Sequence, residues 1–246
     1  MTEAALRSHS FPSTFQFERT RSLRLAVYRM ARLSTRQRIL DAGSGEGLVA
    51  AEMAWRTGRT VYALDLTPAM PSPPGVSVVV GDALALPFGD ETLDAVTFSF
   101  VLLWVKDPAK ALSEAWRALK PGGAVMILSE PDLYARTDEP DTGLGRAIAS
   151  AVERSGGHPD AGRKVAGWLR ETGFRASIWR SSAQWAALTN PAEAEHELAF
   201  LRERAGLTES EILAMAALER EAALAGRRRV LLPLYYGVGI KGMDDE

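Results

Sequence analysis

Ile39-Leu40-Asp41-Ala42-Gly43-Ser44-Gly45-Glu46-Gly47 decides how the rest of this chain is read. Ile39 and Leu40, running into Asp41, have the length and apolar character of a short buried strand. Three glycines at alternate positions then let the backbone turn sharply and bring a ligand close with no Cβ in the way. Beyond them Leu48, Ala51 and Trp55 recur at helical spacing as far as Gly58, so a helix is predicted over 47–57 with those three on its inner face. A helix N-terminus offers unpaired amides and the positive end of its dipole, so an anionic group is expected at this turn.

The same alternation continues in both directions. Strands are predicted at Thr60–Leu64, ending on Asp65, then at Val76–Val80, Leu93–Phe98, Val125–Leu128, Ala176–Trp179 and Arg229–Ile240, the last interrupted by Pro233 and Gly237. Upstream, Leu23, Val27, Met30 and Ala31 mark an amphipathic helix over 18–33. Asp107-Pro108 supplies a cap and a first-turn proline for a helix faced by Leu112, Ala115, Trp116 and Leu119. Lys120-Pro121-Gly122-Gly123 reads as the turn that ends it. Asp160 is placed to cap a helix carrying Val165, Trp168 and Leu169. Asn190-Pro191 with Glu193, and Thr208 with Glu211, are capping boxes for two helices at about 191–205 and 209–225. Strands alternating with helices predict an α/β, doubly wound, mostly parallel sheet of seven strands. An N-terminal arm and helix would occupy 1–34 and the main domain 35–246, with a helical hairpin inserted at 190–228.

Composition narrows the function classes. The 246 residues are 46% hydrophobic and 24% charged, as in soluble globular proteins, and contain no cysteine. Disulfides, thiolate metal sites and cysteine nucleophiles are excluded together, and no metal is expected. A net charge of −2 gives no broad attraction to phosphate backbones, so no nucleic-acid partner is expected. Met1 to Phe11 has no apolar core to serve as a leader, and no apolar run is long enough to span a bilayer. The expectation is a cytoplasmic protein, monomeric or homodimeric, with no membrane partner.

The glycine spacing selects among ligands. A dinucleotide turn is G-x-G-x-x-G, and its third glycine would fall at position 48, which is Leu. The pattern here is G-x-G-x-G behind an acid, and four later segments follow in order. They are Tyr62–Leu66 around Asp65, Gly81-Asp82-Ala83-Leu84-Ala85-Leu86-Pro87-Phe88, Leu93–Phe100, and Arg117-Ala118-Leu119-Lys120-Pro121-Gly122-Gly123. Across residues 38–130 the chain resembles the class I methyltransferases that use S-adenosylmethionine (SAM), closest to the small-molecule, ubiquinone-type branch. That resemblance implies a Rossmann-like sheet whose last strand is antiparallel, SAM as cofactor, and a small-molecule methyl acceptor.

It also implies roles. Asp41, Gly43, Ser44, Gly45 and Gly47 would hold the methionine end. Asp65, with Leu66 beside it, would take the ribose hydroxyls. Gly81, Asp82 and Ala83 would hold adenine, and Ser99 and Phe100 would flank the methionine part. Each has a plain structural alternative: Asp65 as a strand-end surface acid, Asp82 as a turn cap, Phe98 and Phe100 as core. The chain departs from the family in two places. Pro68, Pro71, Pro73 and Pro74 leave no room for a helix after Asp65. Leu102, Leu103 and Trp104 stand where many relatives carry a histidine. The remaining base candidates are His158 and His196, and His9 lies in the arm. Trp185, Tyr134, Phe15 and Tyr28 are candidates for an acceptor pocket. A nicotinamide-dependent oxidoreductase and a non-catalytic SAM-binding protein are the competing readings.

Overall fold

The computed structural model describes residues 13–67, 73–185, 191–204 and 206–242, without the side chains of 13–15, 182–185, 191–196 and 203. In chain order the elements are α1 (Ser13–Arg19), α2 (Arg21–Met30), β1 (Ile39–Ala42), α3 (Leu48–Thr57), β2 (Val61–Asp65), β3 (Val76–Val80) and β4 (Leu93–Ser99). Then come α4 (Pro108–Ala118), β5 (Leu119–Pro131), β6 (Thr137–Glu139), α5 (Leu144–Arg154), α6 (Ala161–Thr172), β7 (Arg175–Trp185), α7 (Pro191–Arg204), α8 (Glu209–Leu224) and β8 (Arg229–Ile240).

The sheet runs β3-β2-β1-β4-β5-β8, and β7 covers the other edge of β8. β1 to β5 are mutually parallel, and β8 is antiparallel to both β5 and β7. Helices cover both faces. Val27 and Ala31 of the α2 end and Met53 of α3 pack with Met126 on one side. Leu112 of α4, Ile148 of α5 and Val165 of α6 pack with Phe98 and Ile127 on the other. A central strand covered on both faces is apolar at every position rather than at alternate ones, which is why all of β1 is buried, Asp41 included. No described helix is long and apolar enough to cross a membrane.

The doubly wound plan is the expected one, with several local differences. Among the described residues the sheet has eight strands rather than seven, because β6 pairs with Arg229–Leu231 of β8 beyond the end of β5. The predicted N-terminal helix is split at Thr20, whose hydroxyl donates to the Gln16 carbonyl at 2.7 Å. In α3 the buried residues are Ala50, Met53 and Ala54, and Trp55 is 79% exposed. The helix is rotated from the predicted face because Ala50 and Met53 are the side chains that fit against β1 and β2.

Lys120-Pro121-Gly122-Gly123 is not a free turn but the irregular start of β5. Leu119 pairs with Leu93 and Ala124 with Ala95, so the extra residues bulge outward. Asp160 makes no cap bond; its carboxylate pairs with Lys164 Nζ at 2.8 Å. Asp107 does cap α4, accepting from Lys110 N at 2.9 Å, and Thr208 with Glu211 forms a complete capping box on α8. Asn190, proposed to cap α7, lies outside the described residues. The Arg227–Arg229 run is divided: Arg228 is buried against Glu219 and Glu197 while Arg227 pairs outside with Glu221.

Candidate functional site: a glycine turn at the strand ends

The three glycines of the turn all need the left-handed backbone region: φ is +72° at Gly43, +53° at Gly45 and +70° at Gly47. A Cβ at Gly43 would stand 2.6 Å from Val101 Cγ2, whereas Gly45 has open space on that side. The turn is tied to β2 by the N–H groups of Gly43 and Ser44, which both donate to the Leu64 carbonyl at 2.8 and 2.9 Å. Gly45 N donates to Asp65 Oδ2 at 3.0 Å, and Gly47 N to the Ser44 carbonyl at 2.8 Å. The amides of Gly43, Ser44, Gly45 and Gly47 are therefore engaged inside the protein. At α3 the Ala50 amide is taken by the Asp41 carboxylate.

What faces the turn is instead a set of carboxyl groups. Asp41 is 2% exposed; burial pushes its carboxyl up to about 8, the Ala50 amide opposes that, and the Asp65 charge adds to it. Its Oδ2 is buried without a hydrogen-bond partner, as is Oγ1 of Thr97, its neighbour across β4. Asp65 ends β2 half-buried and also accepts from Thr67 N at 3.0 Å, while Leu66 is exposed. Gly81 is drawn to the same rim by a bond from its N–H to the Asp65 carbonyl at 3.0 Å. Asp82 Oδ1 accepts from Leu84 N at 2.9 Å, so it does serve as a turn cap, and Ala83 is buried behind it.

The wall on the β4 side is formed by Ser99 to Leu103. Phe100 adopts φ +55°, a costly conformation for a bulky residue, and its N–H donates to the Ser129 carbonyl at 2.9 Å. Nothing in the sequence pattern singled out Glu130, yet it sits fully buried at the end of β5. Its Oε1 accepts from Val101 N at 2.9 Å and Leu102 N at 3.1 Å, and its Oε2 from Leu103 N at 3.3 Å. Burial raises this carboxyl to about 7 against the pull of those three amides.

Arg117 was legible only as part of a recognition motif, and its partner Glu114 not at all. Arg117 donates to the carbonyls of Leu86 and Phe88 and to Asp90, and Glu114 accepts from Leu86 N at 3.0 Å. The Arg117 guanidinium, foremost through its hydrogen bond, holds the Glu114 carboxyl down to about 2. The motif arginine thus clamps the Leu86–Asp90 segment beside the turn, besides ending α4.

Of the base candidates, His158 packs on the segment after β4. Its N–H donates to the Leu103 carbonyl at 2.8 Å, its Nε2 lies 3.3 Å from the Lys106 carbonyl, and its ring meets Trp168 edge-on. The side chains of His196, Phe15 and Trp185, and all of His9, lie outside the described residues. Tyr28 is buried between α2 and α3 with its hydroxyl 3.2 Å from Glu52 Oε2, and Tyr134 is half-exposed. The structure thus gathers the predicted Gly43–Gly47, Asp65, Gly81 and Asp82 at one rim and holds His158 behind the next loop.

Residues 40–127 match the Methyltransferase domain family. A demethylmenaquinone methyltransferase of Thermobifida fusca is 34% identical over 163 residues, spanning 60% of this chain and 68% of that protein. The chain belongs to the class I SAM-dependent methyltransferase family. The demethylmenaquinone methyltransferase of Renibacterium salmoninarum is 37% identical over 132 residues, and here this methyltransferase chain spans about half of its relative, 55%. Among solved structures, phosphoethanolamine N-methyltransferase 2 of Haemonchus contortus, bound to phosphomonomethylethanolamine and S-adenosylhomocysteine, superposes with a TM-score of 0.59. It is 21% identical, covering 93% of this chain and 57% of that one, so the likeness is one of fold. The [4+2]-cyclase SpnF has the same fold at a TM-score of 0.59 and 20% identity, covering 91% of this chain and 82% of that one. Membership of the methyltransferase family removes the nicotinamide reading. The residues fit the family's cofactor: an unpartnered buried Asp41 oxygen suits an ammonium group, and the open side of Gly45 leaves room beside Asp65.

Proposed function

We propose that this methyltransferase holds SAM across the β1, β2 and β3 ends and methylates a small, largely apolar, electron-rich aromatic acceptor. The observation that carries the reading is the left-handed Gly43–Gly47 turn, pinned to the Leu64 carbonyl and bordered by Asp41 and Asp65. In this reading Asp41 receives the cofactor's amino group beside Gly43, Ser44 and Gly47. Asp65 exchanges the Gly45 amide for the ribose hydroxyls, with Leu66 alongside. Gly81, Asp82 and Ala83 border the adenine, and Ser99 and Phe100 the methyl-bearing end.

SAM supplies a methyl group on a sulfonium, already activated for in-line displacement. The chain's contribution is then chiefly positioning, which is worth effective molarities of about 10⁵ M or more for well-aligned reactants. The ring carbon of a deprotonated quinol is already nucleophilic enough to displace S-adenosylhomocysteine from the methyl, and the ring proton it then loses can pass to water. That suits a site where His158 is occupied with the Lys106 carbonyl and Trp168. The names of the relatives support the aromatic class.

Calorimetry with S-adenosylhomocysteine tests the cofactor half. Wild type is expected to bind, and Asp65→Ala to lose about 1–3 kcal/mol, the scale of a hydrogen bond to a charged group. Equal affinities would remove Asp65 from the site. Incubation with methyl-labelled SAM and a reduced naphthoquinone lacking its ring methyl tests the acceptor. Label in the ring supports the reading, and S-adenosylhomocysteine binding without transfer would overturn the aromatic assignment.

A further inference from the structure

The segment after β4 is held from behind by a single side chain. Glu130 is 0% exposed, and its two oxygens collect the consecutive main-chain N–H groups of Val101, Leu102 and Leu103. Three amides converging on one carboxylate is the arrangement of a cap, but no regular helix begins there. The carboxylate closes a turn that would otherwise leave three buried donors unsatisfied. The next register position adds a fourth tie, from Phe100 N to the Ser129 carbonyl. On its other side this segment meets the glycine turn. Val101 fills the space where Gly43 would carry a Cβ, with both methyl groups within 2.8 Å of that point.

We propose that Glu130 is a positioning residue for the methionine end of the cofactor: it gathers the Val101–Leu103 amides and so presses Val101 against Gly43 and fixes the wall beside the turn. The inference rests on the reading that the Gly43–Gly47 turn takes SAM. It adds a residue that lies outside the glycine motif and touches the cofactor only through Val101.

The two replacements differ in a graded way. In Glu130→Gln one oxygen still accepts from Val101 and Leu102, but an NH₂ then faces the Leu103 N–H, donor against donor. In Glu130→Ala all three amides lose their acceptor.

The test measures S-adenosylhomocysteine affinity by calorimetry and amide hydrogen exchange at Val101–Leu103, on the full chain and both variants. The expected result is a loss of affinity of roughly tenfold in Glu130→Gln, the size of one charge-assisted hydrogen bond, and a larger loss in Glu130→Ala. Exchange should quicken at Leu103 alone in the first and at all three amides in the second. If wild type and Glu130→Gln bind equally well while Leu103 exchanges faster, the residue is merely structural and the proposal fails. If exchange is also unchanged, Glu130 does not hold the segment at all. If wild type itself does not bind, the cofactor reading fails first and takes this proposal with it. Glu130→Gln is close to isosteric, so it reports even where Glu130→Ala does not fold.

Discussion

The half of the molecule from β1 to β5 and the half from β6 to β8 are built on opposite electrostatic plans. Around the glycine turn the buried carboxyl groups of Asp41 and Glu130 have no cationic partner among the described residues; they are met by backbone amides, and burial drives both toward neutrality. Around the α7–α8 hairpin the buried acids are answered by arginine. The Arg136 side chain is 1% exposed and grips Glu197 with two bonds of 2.8 Å and Asp138 with bonds of 3.0 and 2.8 Å. Arg228 is paired with Glu219, which also accepts from the Thr142 hydroxyl. Asp138 Oδ2 closes the group by accepting from Gly145 N at 3.0 Å. In the first half Asp41 Oδ2 and Thr97 Oγ1 keep unsatisfied polar capacity at the strand ends. The second spends its charges on fastening β6, α5, α7, α8 and the start of β8 to one another.

Breaking the arginine cluster should have the largest effect. Arg136→Met leaves two carboxylates buried without their main cation, at a cost of about 3–5 kcal/mol. Denaturant unfolding should show that loss, while S-adenosylhomocysteine affinity of the folded fraction changes little. A matching loss of affinity would mean that the two halves are coupled and the contrast is false.

Gly43→Ala is the converse. The new Cβ meets Val101, and φ at +72° is strained for alanine, so a stability loss of about 1–3 kcal/mol is expected. The accompanying drop in cofactor affinity should be at least tenfold, because Val101 cannot give way without moving the wall. Retained affinity would show that the turn is not the binding element.

Asp41→Asn sharpens the comparison through pH. The carboxyl of Asp41 titrates at about 8 in the folded chain against 3.8 for an ordinary aspartate. Between those values the folded state holds the proton and the unfolded state does not. Stability is therefore full below the lower value and falls as pH rises, by up to about 1.4 kcal/mol per unit. The asparagine variant should lose that portion of the slope in unfolding measured from pH 5 to 8. An unaltered slope would show that Asp41 is not the group responsible.

Much of this contrast could be read in advance on one side only. The glycine turn was visible because its positive φ angles restrict residue type locally, whereas Asp65 and the Gly81–Ala83 segment were picked out by their resemblance to the family's motifs. Trp55 was misplaced because a ten-residue helix with alanines on several sides has no unambiguous apolar face. Glu130 was missed because an acid at the end of an apolar strand looks the same whether it points to solvent or collects three amides from another strand's exit. The Arg227–Arg229 run looked uniform, and only packing sends Arg228 inward.

By itself the sequence determined the alternation of strands and helices from β1 to β5 and the glycine turn between β1 and α3, though not β6 or α5. These follow from periodicity and from conformations only glycine accepts. Tertiary structure alone decided which carboxylates are left without a cation and which are paired. Such partners lie far apart along the chain, 29 residues from Glu130 to Val101 and 61 from Arg136 to Glu197. Their desolvation exists only once the sheet and hairpin have closed around them.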